Sequence, residues 1–174
     1  TKPPEPMAVE NWEGELPVRI RERFGADILQ FASYLGQNFL MAEKAVVPHL
    51  LAYLLEEEGF DYLVDVTAVD YPASEQRFEL IYILYSYSAN ERIRVKIRIR
   101  EGERADSVTS IYATANWLER EVFDMFGIEF DGHPGLRRIL LPDEWQGYPL
   151  RKDYGITQMD NQWVRENLGI ESGQ

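Results

Sequence analysis

The alternation of hydrophobic and polar positions predicts three helices. From Val46 to Glu58 leucines recur at helical spacing and a glycine follows, which is typical of an amphipathic helix with a glycine stop. A second strong helical pattern runs from Ile111 to Phe126 and is also followed by glycine. Pro17 to Phe24 predicts a shorter helix, with proline in its first turn.

A period of two predicts strands between these helices. Two short strands are expected at Ile28–Ser33 and Asn38–Met41, and longer ones at Tyr62–Val69, Phe78–Tyr87 and Arg92–Arg100. In the middle one of the three long strands both sets of alternating positions are apolar, which favours a central strand covered on both faces. The order of elements predicts an α+β fold of two layers, with helices packed on a largely antiparallel or mixed sheet.

After Gly127 the periodic patterns end. Residues 128–154 are dense in proline, glycine and charge, which favours a long ordered excursion that carries function or a binding surface. The expected organisation is a flexible N-terminal tail at 1–15, an α+β domain at 16–127, an extended interface segment at 128–154 and a C-terminal tail at 155–174.

Composition narrows the classes of function. The 174 residues include no cysteine and two histidines, and 18 Lys+Arg against 30 Asp+Glu give a net charge of −12. The chain therefore supplies no disulfide, thiolate nucleophile or cysteine ligand for zinc or an iron–sulfur cluster. The acidic balance argues against a general nucleic-acid binder. We expect no signal peptide and no membrane span, and the dinucleotide and phosphate-loop glycine motifs are missing.

One face of the last predicted strand is strongly basic. It carries Arg92, Arg94, Lys96, Arg98 and Arg100, against apolar residues on the other face. This pattern suits either a patch for an acidic partner or polyanion, or a strand face balanced by acidic neighbours of the same chain. The negative net charge favours the intramolecular interpretation.

The helix at 111–126 has more than one face to cover. Its apolar stripe consists of Ile111, Ala115, Leu118, Val122, Met125 and Phe126. Arg120 and Asp124 are i, i+4 neighbours on the face opposite this stripe. Glu121 lies near the stripe, so we expect it to be partly covered and paired with a downstream arginine. Trp117 and Phe123 lie off the stripe, which suggests contact with another chain.

Two carboxylates and a histidine permit an enzymatic alternative. Glu119, Glu121 and His133 could imitate the acid/base set of a hydrolase. The two glutamates project about 160° apart on a helix, so they do not converge on one substrate. We therefore regard a free-standing hydrolase as a remote alternative, together with a polyanion-binding module built on the basic strand.

Two loops alternate rigid turn residues with basic and apolar residues, at His133–Pro142 and Gly147–Tyr154. Arginine pairs with carboxylates in planar, bidentate geometry, which suits a protein interface. The alternative is that the loops wrap their own domain. In that case the two glutamates of the preceding helix would be neutralised by Arg137, Arg138 and Arg151.

Five stretches together resemble one family. They are Glu119–Ile128, Gly132–Pro134, Leu136–Leu140, Pro149–Tyr154 and, upstream, Asp65–Tyr71. They are similar to the signature of the 30-kDa subunit of NADH-quinone oxidoreductase, which is the C subunit of bacterial respiratory complex I. Several spaced blocks in the right order make this resemblance far more specific than a single short motif.

The resemblance covers about residues 17–155 and has two local departures. Gly135 stands where an acidic residue is common, and Tyr148 stands where a histidine is common. The resemblance implies that the signature residues act as interface and structural elements, with no catalytic, cofactor-binding or metal-binding residue among them. These residues are Glu119, Arg120, Glu121, Asp124, His133, Pro134, Arg137, Arg138, Pro149, Leu150, Arg151, Lys152 and Asp153.

The function implied by the resemblance is that of a non-catalytic structural subunit. It would belong to the peripheral-arm quinone module of a proton-translocating NADH:quinone oxidoreductase, on the cytoplasmic side of the cell membrane. Flavin, iron–sulfur clusters, NADH and quinone would then be bound by partner subunits. The expected partners are the quinone-site D subunit and neighbouring iron–sulfur subunits. An equivalent subunit of a membrane-bound hydrogenase, or of a ferredoxin- or F420H2-fed complex, stays open as an alternative.

Overall fold

The computed structural model describes residues 9–155 together with 165, 166 and 169. Its α-helices are α1 Glu15–Phe24, α2 Val47–Glu56 and α3 Ala115–Phe126, and short 3₁₀ turns lie at Gly25–Asp27 and Lys44–Val46. The strands are β1 Glu10–Asn11, β2 Ile28–Tyr34, β3 Gln37–Ala42, β4 Tyr62–Asp70, β5 Phe78–Ser86, β6 Glu91–Ile99, β7 Ala105–Asp106 and β8 Phe130–Asp131.

Six strands form one mixed sheet in the order β1-β2-β3-β6-β5-β4. Every neighbouring pair is antiparallel except β3 and β6, which run parallel with Asn38 opposite Ile93 and Met41 opposite Lys96. Strands β7 and β8 form a separate short parallel ladder. The three helices and this sheet confirm the predicted α+β class.

The alternation of β6 explains where the core lies. Ile93, Val95, Ile97 and Ile99 are fully buried, whereas the basic residues between them stay partly accessible. The apolar residues of β6 belong to the same core cluster as those of the helices, so the helices cover this face of the sheet. Strand β5 lies between β6 and β4, which is the central position expected from its two apolar faces.

The β2–β3 hairpin shows how local sequence fixes the register. Its two turn residues, Leu35 and Gly36, both have positive φ, 54° and 70°. Such a two-residue turn matches the right-handed twist of the flanking strands, and glycine adopts it without strain.

Helix α3 begins later than its apolar pattern predicts. Instead of starting at Ile111, α3 starts at Ala115, because the preceding residues make isolated turns in which the N–H groups of Ile111 and Tyr112 both donate to the carbonyl of Val108. The Tyr112 hydroxyl donates to the carbonyl of Phe60, which ties this turn to the end of α2. An apolar stripe indicates which residues are buried, and here the buried residues begin before the helix does.

Part of the predicted flexible N-terminal tail is folded. Glu10 and Asn11 pair with β2, and the Trp12 ring packs edge-to-face on Phe31 at a centroid distance of 5.7 Å. The expectation of a tail up to residue 15 is therefore wrong for 9–15, because burial of the Trp12 indole fixes this stretch. Residues 1–8 and most of the predicted C-terminal tail lie outside the described residues.

Candidate functional site

Helix α3 is buried on two sides. One side packs on the sheet, with Val122 and Phe126 in the core. The other side carries Arg120 and Asp124, which are 8% and 0% exposed. This face lies opposite the apolar stripe, and the segment 128–154 covers it.

Asp124 is the centre of this second contact. Its Oδ2 accepts hydrogen bonds from three consecutive backbone N–H groups, those of Ile139, Leu140 and Leu141, at 3.0, 2.7 and 2.9 Å. Its Oδ1 accepts from Arg138 Nη1 at 2.6 Å. Burial raises the pKa of Asp124, but the three backbone donors and Arg138 outweigh it and hold the pKa below its usual value.

Two arginines hold the segment by its carbonyl groups. Arg120 donates to the carbonyls of Arg137 and Arg138 at 3.1 and 2.9 Å. Arg138 donates in turn to the carbonyls of Trp145 and Gly147 at 3.0 and 3.1 Å. The guanidinium fork can satisfy several acceptors at once, so a stretch with little regular structure is fixed without a ladder of its own. We call Arg120, Asp124 and Arg138 the brace, and residues 128–154 the braced segment.

A second tie lies at the far end of the segment. Arg151 Nε donates to the carbonyl of Phe126, the last residue of α3, at 2.6 Å. Its Nη1 forms an ion pair with Glu101 at 2.7 Å. The end of the segment is thereby joined both to the helix and to the turn after β6.

Arg77 and Asp70 extend this tie to the sheet. Arg77 forms a bidentate pair with Asp70, at 2.8 and 2.9 Å, and reaches Asp153 at 2.7 Å. Asp70 also accepts the backbone N–H of Lys152 at 2.8 Å. The pKa of Asp70 lies below its usual value, mainly because of the hydrogen bonds from Arg77, while burial acts in the opposite direction.

Sequence reasoning missed Arg77, and it named Asp70 only as part of the family-like stretch Asp65–Tyr71. A signal existed, because the alternation of β4 places Asp70 on the same face as Val66 and Ala68. A carboxylate on a core face needs a cationic partner.

Glu119 has a different environment from the one expected. Its carboxylate is fully buried and accepts hydrogen bonds from the backbone N–H of Val108 and from Ser107 Oγ, both at 2.7 Å. No arginine pairs with it among the described residues. Burial raises its pKa to about 7, although these two donors oppose the shift.

The expectation that three downstream arginines neutralise Glu119 and Glu121 is therefore wrong. Arg138 pairs with Asp124, and Arg151 pairs with Glu101. Glu121, expected to be partly covered, is exposed. The predicted arginines do serve their own domain, but mostly through carbonyl groups and other carboxylates.

Several residues of α3 and of the segment point outward. Trp117 is 62% exposed and Leu140 61% exposed, and the guanidinium of Arg120 lies 5.2 Å from the centre of the Trp117 ring. Arg137 is exposed, and within the described part of the chain it has no ion pair or side-chain hydrogen bond. We call Trp117, Glu121, Arg137, Leu140 and Leu150 the outer residues.

The hydrolase alternative finds no support in the geometry. Glu119 is enclosed, Glu121 faces solvent, and His133 Nε2 lies 3.0 Å from the carbonyl of Asn116. The His133 Nδ1 accepts the N–H of Gly135 at 3.0 Å, so both ring nitrogens serve the local fold. Within the residues that the structure describes, no three metal-ligating side chains group together, and no helix has the length and apolarity to cross a bilayer.

Three of the five basic residues on the face of β6 are balanced within the chain. Lys96 and Arg98 share the carboxylate of Glu79, at 3.1 and 2.8 Å, and Arg100 pairs with Glu75 at 2.8 Å. This supports the intramolecular interpretation for that half of the strand.

Residues 40–160 match the family model described as the respiratory-chain NADH dehydrogenase 30-kDa subunit. The chain belongs to this family. The resemblance noted from the signature blocks is thereby confirmed, and it extends over most of the α+β domain and the braced segment.

Individual members of the 30-kDa subunit family match most of the chain. A protein of Geotalea uraniireducens, named as the C subunit of NADH-quinone oxidoreductase, is 41% identical over 87% of this chain and 93% of its own length. One of Phenylobacterium zucineum with the same name is 50% identical over 82% of this chain and 70% of its own. A Bdellovibrio bacteriovorus protein, named as the C/D subunit, is 42% identical over 76% of this chain, which is 24% of that protein.

A solved structure shares the fold. A chain in the structure of the membrane-bound sulfane sulfur reductase, described as an archaeal respiratory membrane complex, superimposes with a TM-score of 0.72. The match covers 91% of this chain and 92% of that chain at 24% identity. At this identity the likeness concerns the fold alone.

Proposed function

We propose that this chain is a non-catalytic structural subunit of the peripheral-arm quinone module of a proton-translocating NADH:quinone oxidoreductase. The whole complex would carry out electron transfer from NADH to quinone, and partner subunits would bind the flavin, the clusters and the quinone. The chain would lie on the cytoplasmic side of the membrane and attach through its partners.

The observation that carries this proposal is which groups the signature residues bind. Asp124, Arg120, Arg138 and Arg151 bind parts of their own chain rather than converging on a cavity. Their ties fix an irregular segment against a helix, which is what a structural component needs if it must present a surface of constant shape. In cofactor enzymes the protein positions the cofactor and sets its environment, and a rigid neighbouring subunit helps to keep that position fixed.

The outer residues are the proposed contact surface. Trp117, Leu140 and Leu150 expose large apolar side chains on or beside the braced segment, and Arg137 adds a cation without a partner among the described residues. Tryptophan and arginine are typical anchors of protein interfaces. A fused C/D polypeptide exists among the relatives, which supports the quinone-site D subunit as one partner.

The test is deletion of the chain from its native complex. We expect the peripheral arm to fail to assemble, seen as loss of the intact complex on a native gel and of NADH:quinone reductase activity. An assembled and active complex without this chain would contradict the proposal. Co-purification distinguishes the related machines, since an NADH-binding flavin module supports the proposal and a nickel–iron hydrogenase supports the alternative.

A matched pair of variants locates the contact surface. Trp117→Ala should lower incorporation into the complex without changing the stability of the chain, because the side chain is 62% exposed. Leu29→Ala is the control, since Leu29 is 56% exposed on β2, which lies four strands away from β4 in the sheet. Equal incorporation of both variants would place the contact elsewhere.

A further inference from the structure

The basic face of β6 divides into two halves. Toward the end of the strand, Lys96 and Arg98 share Glu79. Toward its beginning, Arg92 and Arg94 have no carboxylate within 4.0 Å among the described residues. In a chain with 30 acidic residues and 18 basic ones, two neighbouring arginines without a counter-ion need a reason.

Arg92 and Arg94 lie on the same face of β6, because they alternate with the buried Ile93. They line a recess of about 380 Å³ at one end of the two central strands, β3 and β6, beside the β2–β3 and β5–β6 turns. Its remaining wall is formed mostly by polar side chains and one aromatic ring: Gln37, Asn38, Tyr85, Asn90 and Glu91. Glu91 pairs with neither arginine, so the recess keeps a positive charge.

The recess is held in shape by local contacts. The Tyr85 hydroxyl donates to Asn90 Oδ1 at 2.5 Å, across the β5–β6 turn. The guanidinium of Arg92 lies 6.0 Å from the centre of the Tyr85 ring. This ring contact orients one arginine without neutralising it.

A tyrosine cluster adjoins the recess. The rings of Tyr85 and Tyr87 meet edge-to-face at 5.0 Å, and those of Tyr87 and Tyr62 lie 5.9 Å apart. Tyr87 is 66% exposed, the most exposed large hydrophobic residue of the described chain. Tyrosine and arginine are enriched among the residues that dominate binding energy. Tyrosine also offers a large contact area at a low cost in entropy.

We propose that Arg92 and Arg94, with Tyr85 and Tyr87, form a docking site for an acidic segment of another protein of the complex. The arginines supply planar donors for carboxylates, and the tyrosines supply contact area. A long polyanion or an anionic membrane surface fits less well, because the chain as a whole carries −12 and would repel it. A short acidic segment meets only the local positive charge.

This site is distinct from the outer residues, and it rests on the proposed function because it needs an assembled complex. A photo-reactive benzoylphenylalanine at position 87 tests it in that complex. We expect a cross-link to a peptide of another subunit that is rich in Asp and Glu, and loss of the cross-link in the double variant Arg92→Glu, Arg94→Glu.

Position 117 provides the comparison that separates the two proposals. Cross-linking from position 117 but not from 87 would overturn the docking site and leave the proposed function intact. A cross-link from 87 to a peptide without acidic residues would also overturn it. Absence of inter-subunit cross-links from both positions would overturn the proposed function as well.

A charge-matched control makes the electrostatic part of the proposal falsifiable on the 174-residue chain. A labelled hexaglutamate peptide, followed by fluorescence anisotropy at low ionic strength, should bind about tenfold more weakly to Arg92→Glu, Arg94→Glu than to the unchanged protein. Arg23→Glu, Arg104→Glu changes the net charge equally on exposed arginines that have acidic partners, and should change affinity by less than about twofold. Equal weakening in both double variants, or tighter binding of single-stranded DNA than of the peptide, would refute the site.

Discussion

Each side of α3 carries a carboxylate that is inaccessible to solvent, yet the pKa values of the two carboxylates are shifted in opposite directions. Glu119 faces the core beside β7, and burial raises its pKa to about 7. Asp124 faces the braced segment, and its pKa is held below the usual value. Burial raises the pKa of both carboxylates, and the donors oppose this shift to different extents.

The donors differ in number and in charge. Asp124 receives three backbone N–H groups and one guanidinium, which together favour the ionised form over the desolvation penalty. Glu119 receives one backbone N–H and one hydroxyl, both neutral. One carboxylate therefore organises a loop as an anion, and the other is tolerated in the core largely because it can keep its proton.

Removing the charge of Asp124 should have the largest effect. Asp124→Asn places an amide against the three backbone donors and leaves Arg138 without its counter-ion, so we expect a loss of roughly 3–5 kcal/mol in the free energy of unfolding. Urea unfolding at pH 7 measures it. A loss below about 1 kcal/mol would show that the braced segment does not depend on this anion.

Glu119 should make stability fall with rising pH. Its folded pKa of about 7 lies above its unfolded value of 4.5, so the folded state binds more protons between these pH values. The free energy of unfolding should therefore decline from about pH 4.5 to 7, by up to roughly 3 kcal/mol. Asp124 and Asp70 act oppositely, since their lowered pKa values give stability that is lost only as the pH falls below about 4.

The variant Glu119→Gln isolates that effect. It keeps the shape of the side chain and cannot ionise, so the decline between pH 4.5 and 7 should flatten. Urea midpoints measured across this range for both proteins provide the comparison. Parallel curves would mean that Glu119 does not titrate in this interval.

Gly127 tests how closely the segment is pressed on the end of α3. Its φ is 73°, and an added Cβ would lie about 2.5 Å from the Tyr148 ring. We expect Gly127→Ala to lower stability by about 1–3 kcal/mol, from backbone strain and from this contact. In a Tyr148→Ala background the cost of Gly127→Ala should be smaller, because the contact with the ring is gone. An equal cost in both backgrounds would assign the whole effect to the backbone.

Arg137 should have the smallest effect on stability. It is exposed, and its guanidinium has no bond within the described residues, so Arg137→Ala should change the free energy of unfolding by less than about 0.5 kcal/mol. Incorporation into the complex should nevertheless decrease. A stability loss above about 1 kcal/mol, with normal incorporation, would place Arg137 in the brace rather than on the contact surface.

The five longer strands were predictable because each has a face that must be buried, whereas the two-residue strands β1, β7 and β8 were not predicted. The alternation of β6 gives its bounds to within one residue, and the observed strand is Glu91–Ile99. The class of fold and the family followed from such patterns and from the signature blocks.

What covers the second face of α3 was not predictable from the sequence of the helix. A helical wheel assigns one stripe to the core and the remainder to solvent, so it places Arg120 and Asp124 outside. What buries them is an irregular segment with no period, and the bonds that matter join Asp124 to Arg138 and to backbone N–H groups. Charged residue types give no indication of a backbone partner.

The ties at Arg77 have a consequence for the order of folding. Arg77 meets Asp153 across 76 positions of the chain, and Asp70 meets the N–H of Lys152 across 82. Contacts of such sequence separation close late, and these two require the ends of β4 and β5 to be in place first. The braced surface thus exists only on a chain whose sheet is complete. If this surface is the proposed contact surface, a partner would bind only a chain that has finished folding.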